Sequence, residues 1–264
     1  MLIFIKGAGD LATGVAHRLH QCGFGVVMSE ISQPTTVRCT VAFSRAVYDG
    51  AAVVEDVTAR LAKNAEHAKQ IVANGEVAVI IDPEASTLGE LKPDALIDAI
   101  LAKKNIGTSM TDAAVVVALG PGFIAGVDCH AVVETKRGHD LGRVIHKGRA
   151  IENTGIPGNI GGHTTDRIIR SCRSGIFNPV RQIGDLVCAG DVVATVDGEP
   201  VHALISGVVR GMLPANTPVC KGMKSGDIDP RGIVEYCSTI SDKARAIAGG
   251  ALEAILNLSK GSVK

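Results

Sequence analysis

The first fourteen residues constrain the fold most. An apolar run, Leu2 to Ile5, stops at Lys6 and gives way to Gly7-Ala8-Gly9-Asp10-Leu11-Ala12, the pattern G-x-G-x-x-A. The run has the length of a strand buried in a parallel sheet. In such a turn the first glycine allows a tight reversal and the second lets the backbone approach a phosphate. The small third residue lets the next helix pack close to the strand. Leu11, Val15 and Leu19 follow at helical spacing, and Gly23 ends that pattern. A second apolar run, Gly25 to Met28, leads to Glu30. An acid about twenty residues past the glycines is placed to accept hydrogen bonds from a ribose diol. The pattern fits a nucleotide site at Gly7, Gly9, Asp10 and Glu30, and it also fits a turn that serves packing alone.

Further apolar runs continue the alternation. Val77 to Ile81 ends at Asp82-Pro83, Asp94 to Ala99 carries Asp98 near its end, and Val115 to Leu119 ends in Gly120-Pro121-Gly122. A helix is expected over Ala62 to Ala73, closed by Asn74-Gly75. Val41 to Phe43 reads as a short strand, and Ala51 to Val54 as strand or helix. Short apolar strands separated by helical patterns indicate a parallel α/β sheet, which binds ligands at the carboxyl ends of its strands. Asp98 lies in an apolar run and needs a partner, for which Lys103 and Lys104 are the candidates. Arg38 follows the second strand, either as a phosphate contact or as a surface partner of Glu30. Cys129 and His130 are neighbours on a strand and so point to opposite faces, which argues against a thiol–imidazole pair. Lys136, Arg137 and His139 form a basic turn, either solvated or an anion site. Thr154 to Gly162 is a glycine-rich loop that runs into an expected helix capped by Thr164 or Thr165 and carrying Ile168 and Ile169.

The last third contains a repeat. Ser174-Gly175-Ile176 matches Ser206-Gly207-Val208, an offset of 32 residues, and Val187-Cys188-x-Gly190 matches Val219-Cys220-x-Gly222. Two copies of a strand-rich half imply a pseudo-twofold β module with Cys188 and Cys220 at equivalent core positions. Ser241 then caps a helix with Ala244, Ile247, Ala251 and Ile255 on one face. The expected order is therefore α/β: a Rossmann-like nucleotide-binding domain over 1–145, a connecting segment over 146–172, a barrel-sandwich-like module over 173–240 and a C-terminal helix over 241–264.

Composition removes several functions. Lys and Arg total 27 and Asp and Glu total 27, so no net charge draws the chain to nucleic acid or an anionic membrane. Trp is absent, with two Tyr and five Phe, which leaves no aromatic platform for stacking bases. No apolar run reaches the length of a bilayer span, and Met1 to Ile5 is too short for a signal peptide. Seven cysteines without a C-x-x-C read as buried small hydrophobes of a reducing cytoplasm, not as disulfides or a zinc site.

Taken together, Gly7 to Gly14, Pro34 to Phe43, Asp98 to Thr108, Leu119 to Val144, Gly226 to Arg231 and Ser241 to Lys243 resemble the YqeB-type accessory proteins of selenium-dependent molybdenum hydroxylases. The nucleotide-fold portion of that family is similar to the xanthine dehydrogenase accessory (XdhC/CoxI) proteins. The resemblance implies a cytoplasmic factor that matures a molybdenum hydroxylase client, at the stage of cofactor handling or of placing a selenium or sulfur ligand on molybdenum. NAD(P) and the molybdenum cofactor (molybdopterin) are the two ligands it leaves open, as it leaves open homo-oligomerisation and whether the protein is itself an enzyme. The alternative is an NAD(P)-dependent oxidoreductase, for which His130, His139 and His163 are proton-relay candidates by residue type alone. The 174–237 repeat resembles the biotinyl/lipoyl module, but Val201 to Val209 contains no lysine to modify, so a swinging arm is not expected.

Overall fold

The computed structural model describes residues 1–259; the expected helix continues to 264 in the sequence reading, and residues 260–264 lie outside the described residues. The chain is mixed α/β and divides into two compact units. The first takes Met1–Pro34, Ala42–Thr154 and the stretch from Ile240, and the second takes Thr35–Val41 and Gly155–Thr239. The division between units thus falls at 154/155, and the segment carrying Arg38 belongs to the second unit.

The first unit opens with β1 (Leu2–Lys6), α1 (Asp10–Gln21) and β2 (Gly25–Glu30). A 3-10 turn at Phe43–Arg45 and α2 (Ala46–Asp49) lead into a hairpin of β3 (Ala51–Val54) and β4 (Val57–Ala62). Then come α3 (Ala65–Ala73), β5 (Val77–Ile81), α4 (Leu88–Leu91) and β6 (Ala95–Asp98). β7 (Val115–Leu119), β8 (Ala131–Val133) and β9 (Val144–Ile145) follow, and α5 (Asp242–Leu258) completes the unit from the far end of the chain.

These strands form one nine-stranded sheet in the order β3-β4-β5-β2-β1-β6-β7-β8-β9. β4 through β8 are mutually parallel, and β3 and β9 pair antiparallel at the two edges. With β4 set aside, the interior order in chain sequence is third, second, first, fourth, fifth, sixth. The order reverses between β1 and β6, and open parallel sheets bind ligands at such a reversal. Ala62 ends β4 instead of opening a helix, and the expected strand at 41–43 is replaced by two 3-10 turns, Cys39–Val41 and Phe43–Arg45, with an extended Ala42 between them. Connections β6–β7 and β7–β8 are loops, not helices. That face of the sheet is covered by α5, which packs on α1, β7, β8 and β9. Ser241 caps α5, its hydroxyl accepting from the Ala244 N–H at 3.2 Å. The approach of α5 is close enough to need glycine: a Cβ on Gly14 would lie 2.7 Å from the Ala244 Cβ, and one on Gly250 would lie 2.1 Å from the Gly142 carbonyl oxygen.

The second unit contains β10 (Ile168–Arg170), β11 (Gly175–Pro179), β12 (Leu186–Val187), β13 (Val192–Val196), β14 (Glu199–His202), β15 (Gly207–Met212), β16 (Thr217–Val219) and β17 (Lys224–Asp229). They make two four-stranded sheets, β10-β17-β15-β12 and β14-β13-β11-β16. The repeat explains this order. β11, β12 and β13 correspond to β15, β16 and β17, and each sheet takes its first and third strands from one copy and its second strand from the other. Phe177, Val193, Val209 and Ile228 from both sheets share one core. Two expectations fail here. Ile168 and Ile169 lie on a strand paired with β17, not on a helix. Cys188 and Cys220 are exposed at the turns, where the buried equivalents are the adjacent Val187 and Val219. Of the seven cysteines only Cys129 and Cys237 are buried.

Gly14→Val puts a branched side chain into the α1–α5 contact. Overpacking of this kind costs about 1–3 kcal/mol, so the urea midpoint of the first unit should fall. An unchanged midpoint would show that α5 does not sit against Gly14.

Candidate functional site

The carboxyl ends of β1, β2, β6, β7 and β8 lie on one side of the sheet because these strands are parallel. Glu30 and Asp98 are the last residues of β2 and β6, and Gly7, Gly9, Asp10, Gly120, Gly122, Lys136, Arg137 and His139 follow the ends of β1, β7 and β8. Arg38 is the exception. It lies in the second unit and is buried there, its guanidinium donating to the Tyr236 carbonyl at 3.1 Å and the Thr239 carbonyl at 3.3 Å.

Gly7 takes φ +90°, a left-handed value that favours glycine, and its N–H donates to the Ser29 carbonyl. Gly9 is the N-cap of α1 with an ordinary extended backbone, φ −67° and ψ −178°. The first N–H groups of a helix have no partner within it, so the start of α1 presents donors. Glu30 takes one donor of the turn: one carboxylate oxygen accepts from the Ala8 N–H at 3.0 Å, the other from the Ile31 N–H at 2.8 Å. Burial pushes the Glu30 carboxyl above its ordinary value, against the pull of those two N–H groups.

The reversal between β1 and β6 holds a buried polar chain that the sequence reading placed only in part. Lys6 and Asp98 are register partners at the ends of their strands. The Lys6 ammonium donates to the Thr108 hydroxyl at 2.9 Å, and that hydroxyl donates to an Asp98 carboxylate oxygen at 2.6 Å. The same ammonium reaches the Gly107 carbonyl at 3.3 Å and the Asp112 carboxylate at 3.4 Å. Burial raises the Asp98 carboxyl, and Thr108, the Ile100 N–H and the Lys6 charge oppose that rise. Asp98 is thus satisfied by Thr108 and Lys6, not by Lys103 or Lys104. Asn105 shapes the loop, its amide oxygen accepting from the N–H groups of Gly107 and Thr108 and its amide nitrogen donating to the Thr108 carbonyl. Lys6 was legible as the one charge between an apolar strand and the glycine turn; Thr108, Asn105 and Asp112 carry no such signal.

Lys103 and Lys104 are exposed on the loop that follows β6. Their backbone lies against Gly122, where a Cβ would come within 2.5 Å of the Lys104 nitrogen. Gly120 is similarly closed by the Thr135 hydroxyl at 2.5 Å. Two cations therefore sit on the loop at the end of β6, backed by the Gly120–Gly122 turn at the end of β7.

The other candidates are otherwise engaged. Arg137 forks onto Asp242, with contacts of 2.6 and 2.8 Å, so its guanidinium anchors the first turn of α5. Lys136 and His139 are exposed. Buried Glu134 holds this segment, accepting from the N–H groups of Lys136 at 2.7 Å and Ile151 at 2.8 Å. His130 accepts the Val116 N–H on Nδ1 at 2.9 Å. Burial, then the Asp128 charge, push the Cys129 thiol up to about 12, so it is not a thiolate nucleophile at neutral pH. Asp82 accepts from the N–H groups of Ser86 and Thr87 and from the Thr87 hydroxyl; burial raises its carboxyl, but these bonds prevail and hold it below its ordinary value. The loop 154–162 leads to His163, whose Nδ1 pairs with the Asp166 carboxylate, and to a strand, so it feeds no helix N-terminus.

No family profile matches the chain. Over 263 residues, all of this chain, it is 53% identical to an Escherichia coli (strain K12) protein described as "Uncharacterized protein YqeB" and spans 49% of that protein. The chain therefore covers about half the length of the curated relative it matches, and the match supports the YqeB resemblance. Two solved structures show far weaker likeness. An aspartoacylase family protein from Mesorhizobium loti is 13% identical over 86% of this chain and 83% of its own, with a TM-score of 0.25. A succinylglutamate desuccinylase from Silicibacter sp. TM1040 is 12% identical over 86% and 84%, with a TM-score of 0.26. Scores this low carry no argument about fold or chemistry. Among the described residues no helix is long and apolar enough to cross a membrane.

Two changes probe the polar chain and the turn. Thr108→Val keeps the shape but removes the hydroxyl between Lys6 and Asp98. Loss of a bridge between buried groups costs about 1–3 kcal/mol, and Thr108→Ser should restore most of it in urea unfolding. Glu30 has a folded-state pKa above its ordinary 4.5. Its contribution to stability is present in acid and is lost as pH rises through the folded value. Glu30→Gln removes this dependence, so the variant should gain on the parent as pH rises from acid to neutral. A pH-independent difference would show that Glu30 is solvated.

Proposed function

We propose that the chain is an accessory factor in the maturation of a selenium-dependent molybdenum hydroxylase, and that it holds a nucleotide or the molybdenum cofactor at the carboxyl ends of β1, β6 and β7. In this reading the first unit is a Rossmann-like domain and the second a barrel-sandwich-like module that docks the client. The observation that carries the ligand class is the reversal of strand order between β1 and β6, with the glycine turn and the start of α1 directly at it. The maturation role rests on the YqeB resemblance of the motifs, a resemblance that the likeness of this chain to about half of the Escherichia coli protein supports.

The residues present fit an anionic ligand bearing a sugar or pterin. The N–H groups that open α1 suit a phosphate, and Lys103 and Lys104 offer cations on the neighbouring loop. Glu30 and Asp10 are carboxylates and disfavour phosphate beside them. Glu30 suits hydroxyl donors, because each of its oxygens retains a lone pair beyond the one given to Ala8 or Ile31. That placement at the end of β2 also supports NAD(P) as the ligand, and with it the oxidoreductase reading.

Thermal shift with NAD, NADP, cytidine nucleotides and molybdenum cofactor tests the proposal. One of them should raise the melting temperature. Gly9→Val should abolish that shift while leaving the unliganded protein as stable as the parent, because the Gly9 backbone suits any residue. In cells the same variant should leave the client hydroxylase assembled but inactive. No shift with any ligand, or equal shifts in parent and variant, defeats the reading.

A further inference from the structure

Away from the strand-order reversal, the first unit gathers one imidazole and two carboxylates from separate elements. His17 lies on α1 and is 8% exposed. Glu55 and Asp56 form the two-residue turn between β3 and β4, where Glu55 takes the left-handed φ of +54°. His17 Nε2 lies 2.9 Å from Asp56 Oδ1 and 3.6 Å from Glu55 Oε2, and one ligand atom from each residue falls within 4.8 Å of the others.

The outer oxygens of both carboxylates are held separately. Glu55 Oε1 accepts from the Ile240 N–H at 2.9 Å and from Arg245 at 2.6 Å. Asp56 Oδ2 accepts from Gln21 at 2.6 Å. These bonds orient the carboxylates so that Oε2 of Glu55 and Oδ1 of Asp56 are the oxygens nearest His17 Nε2. Outer-sphere bonds do this for the carboxylate ligands of metal sites. A tetrahedral zinc ion bonds nitrogen and oxygen at about 2.0–2.2 Å, which sets its donors roughly 3.3–3.6 Å apart. The two separations from His17, 2.9 and 3.6 Å, lie near this range, and the third donor pair is within 4.8 Å. His17 also lines a cleft of about 260 Å³ together with Arg18, Gln21, Cys22 and Arg245.

We propose that His17, Glu55 and Asp56 bind one divalent first-row metal ion of the zinc type, with a fourth coordination position open to water or a small ligand. Three protein donors with an open position are the pattern of metal sites that act on a ligand, as distinct from closed structural sites. The set is of nitrogen and oxygen donors, so cysteine is not required.

Titration of the full chain with Co²⁺, read by visible absorption, and with Zn²⁺, read by calorimetry, tests this. One equivalent should bind without thiolate charge-transfer absorption. Asp56→Asn, at an exposed turn, and His17→Gln should each weaken binding by more than about tenfold, the scale on which even outer-sphere changes act. Cys22→Ser should leave binding unchanged. The thermal stability of metal-free Asp56→Asn, compared with the parent, separates lost ligation from lost folding. Absence of stoichiometric binding, binding undiminished in Asp56→Asn, or a charge-transfer band that Cys22→Ser removes would each overturn the assignment.

Discussion

A buried ammonium at the end of β1 governs the architecture of the first unit. Lys6 closes an otherwise apolar central strand and is 8% exposed, so its charge must be met by protein groups. The acid it meets directly is Asp112 at 3.4 Å, and Asp98, its register partner on β6, is joined to it through Thr108. Meeting that requirement draws the loop after β6 back over the ends of β1 and β6. The loop is then held by Asn105, by Asp112 and by the close approach of Lys103 and Lys104 to Gly122. The stretch from Asp98 to Thr108 is therefore a loop built to compensate one lysine, and that compensation leaves the cations of Lys103 and Lys104 outward.

The turn beside it shows the same logic with the sign reversed. Glycine turns at helix N-termini attract anions, and here an anion is supplied by the protein: Glu30 accepts from the Ala8 N–H. Burial opposes the charge on Glu30, and two backbone donors favour it. The turn is thus partly satisfied before any ligand arrives. In the proposed reading a ligand would meet only the start of α1 and the outer lone pairs of Glu30, which divides phosphate recognition from hydroxyl recognition.

How much of this was legible follows from which interactions are local. The runs 2–5, 25–28, 77–81 and 115–119 are strands as read, because strands buried on both faces in a parallel sheet show as uninterrupted apolar runs. The repeat was legible because a pseudo-twofold fold needs the same glycine turns twice: Gly175 and Gly207 open equivalent strands at φ +154° and +158°. Ile168-Ile169 misled because a two-residue apolar pair fits either period, and pairing with β17 decided it. Arg38 reads as a phosphate contact or a partner of Glu30, and Arg137 as solvated or part of an anion site, but their partners lie 198 and 105 residues away and nothing near them in sequence announces those contacts. Thr108 and the His17–Glu55–Asp56 cluster were missed for the same reason. His17 meets Asp56 across 39 residues, and the turn that presents Glu55 and Asp56 depends on a hairpin whose first strand was ambiguous.

The last helix binds these parts together. The sheet lacks helices between β6 and β7 and between β7 and β8, so one face of β7, β8 and β9 depends on α5 for cover. Small residues bring α5 close at Gly14 and Gly250, and charge fixes its beginning: Arg137 forks onto Asp242, and Glu55 takes the Ile240 N–H and Arg245. Exposed ion pairs of this kind add little stability singly. Their effect here is on position, since Arg137 ties the helix start to the loop after β8 and Glu55 ties it to the β3–β4 turn. The carboxylate that faces His17 is therefore oriented by the same helix that covers β7, β8 and β9. Displacing α5 would uncover those strands and release Glu55 together, so the integrity of the sheet and the geometry of the His17 cluster are coupled through a single element.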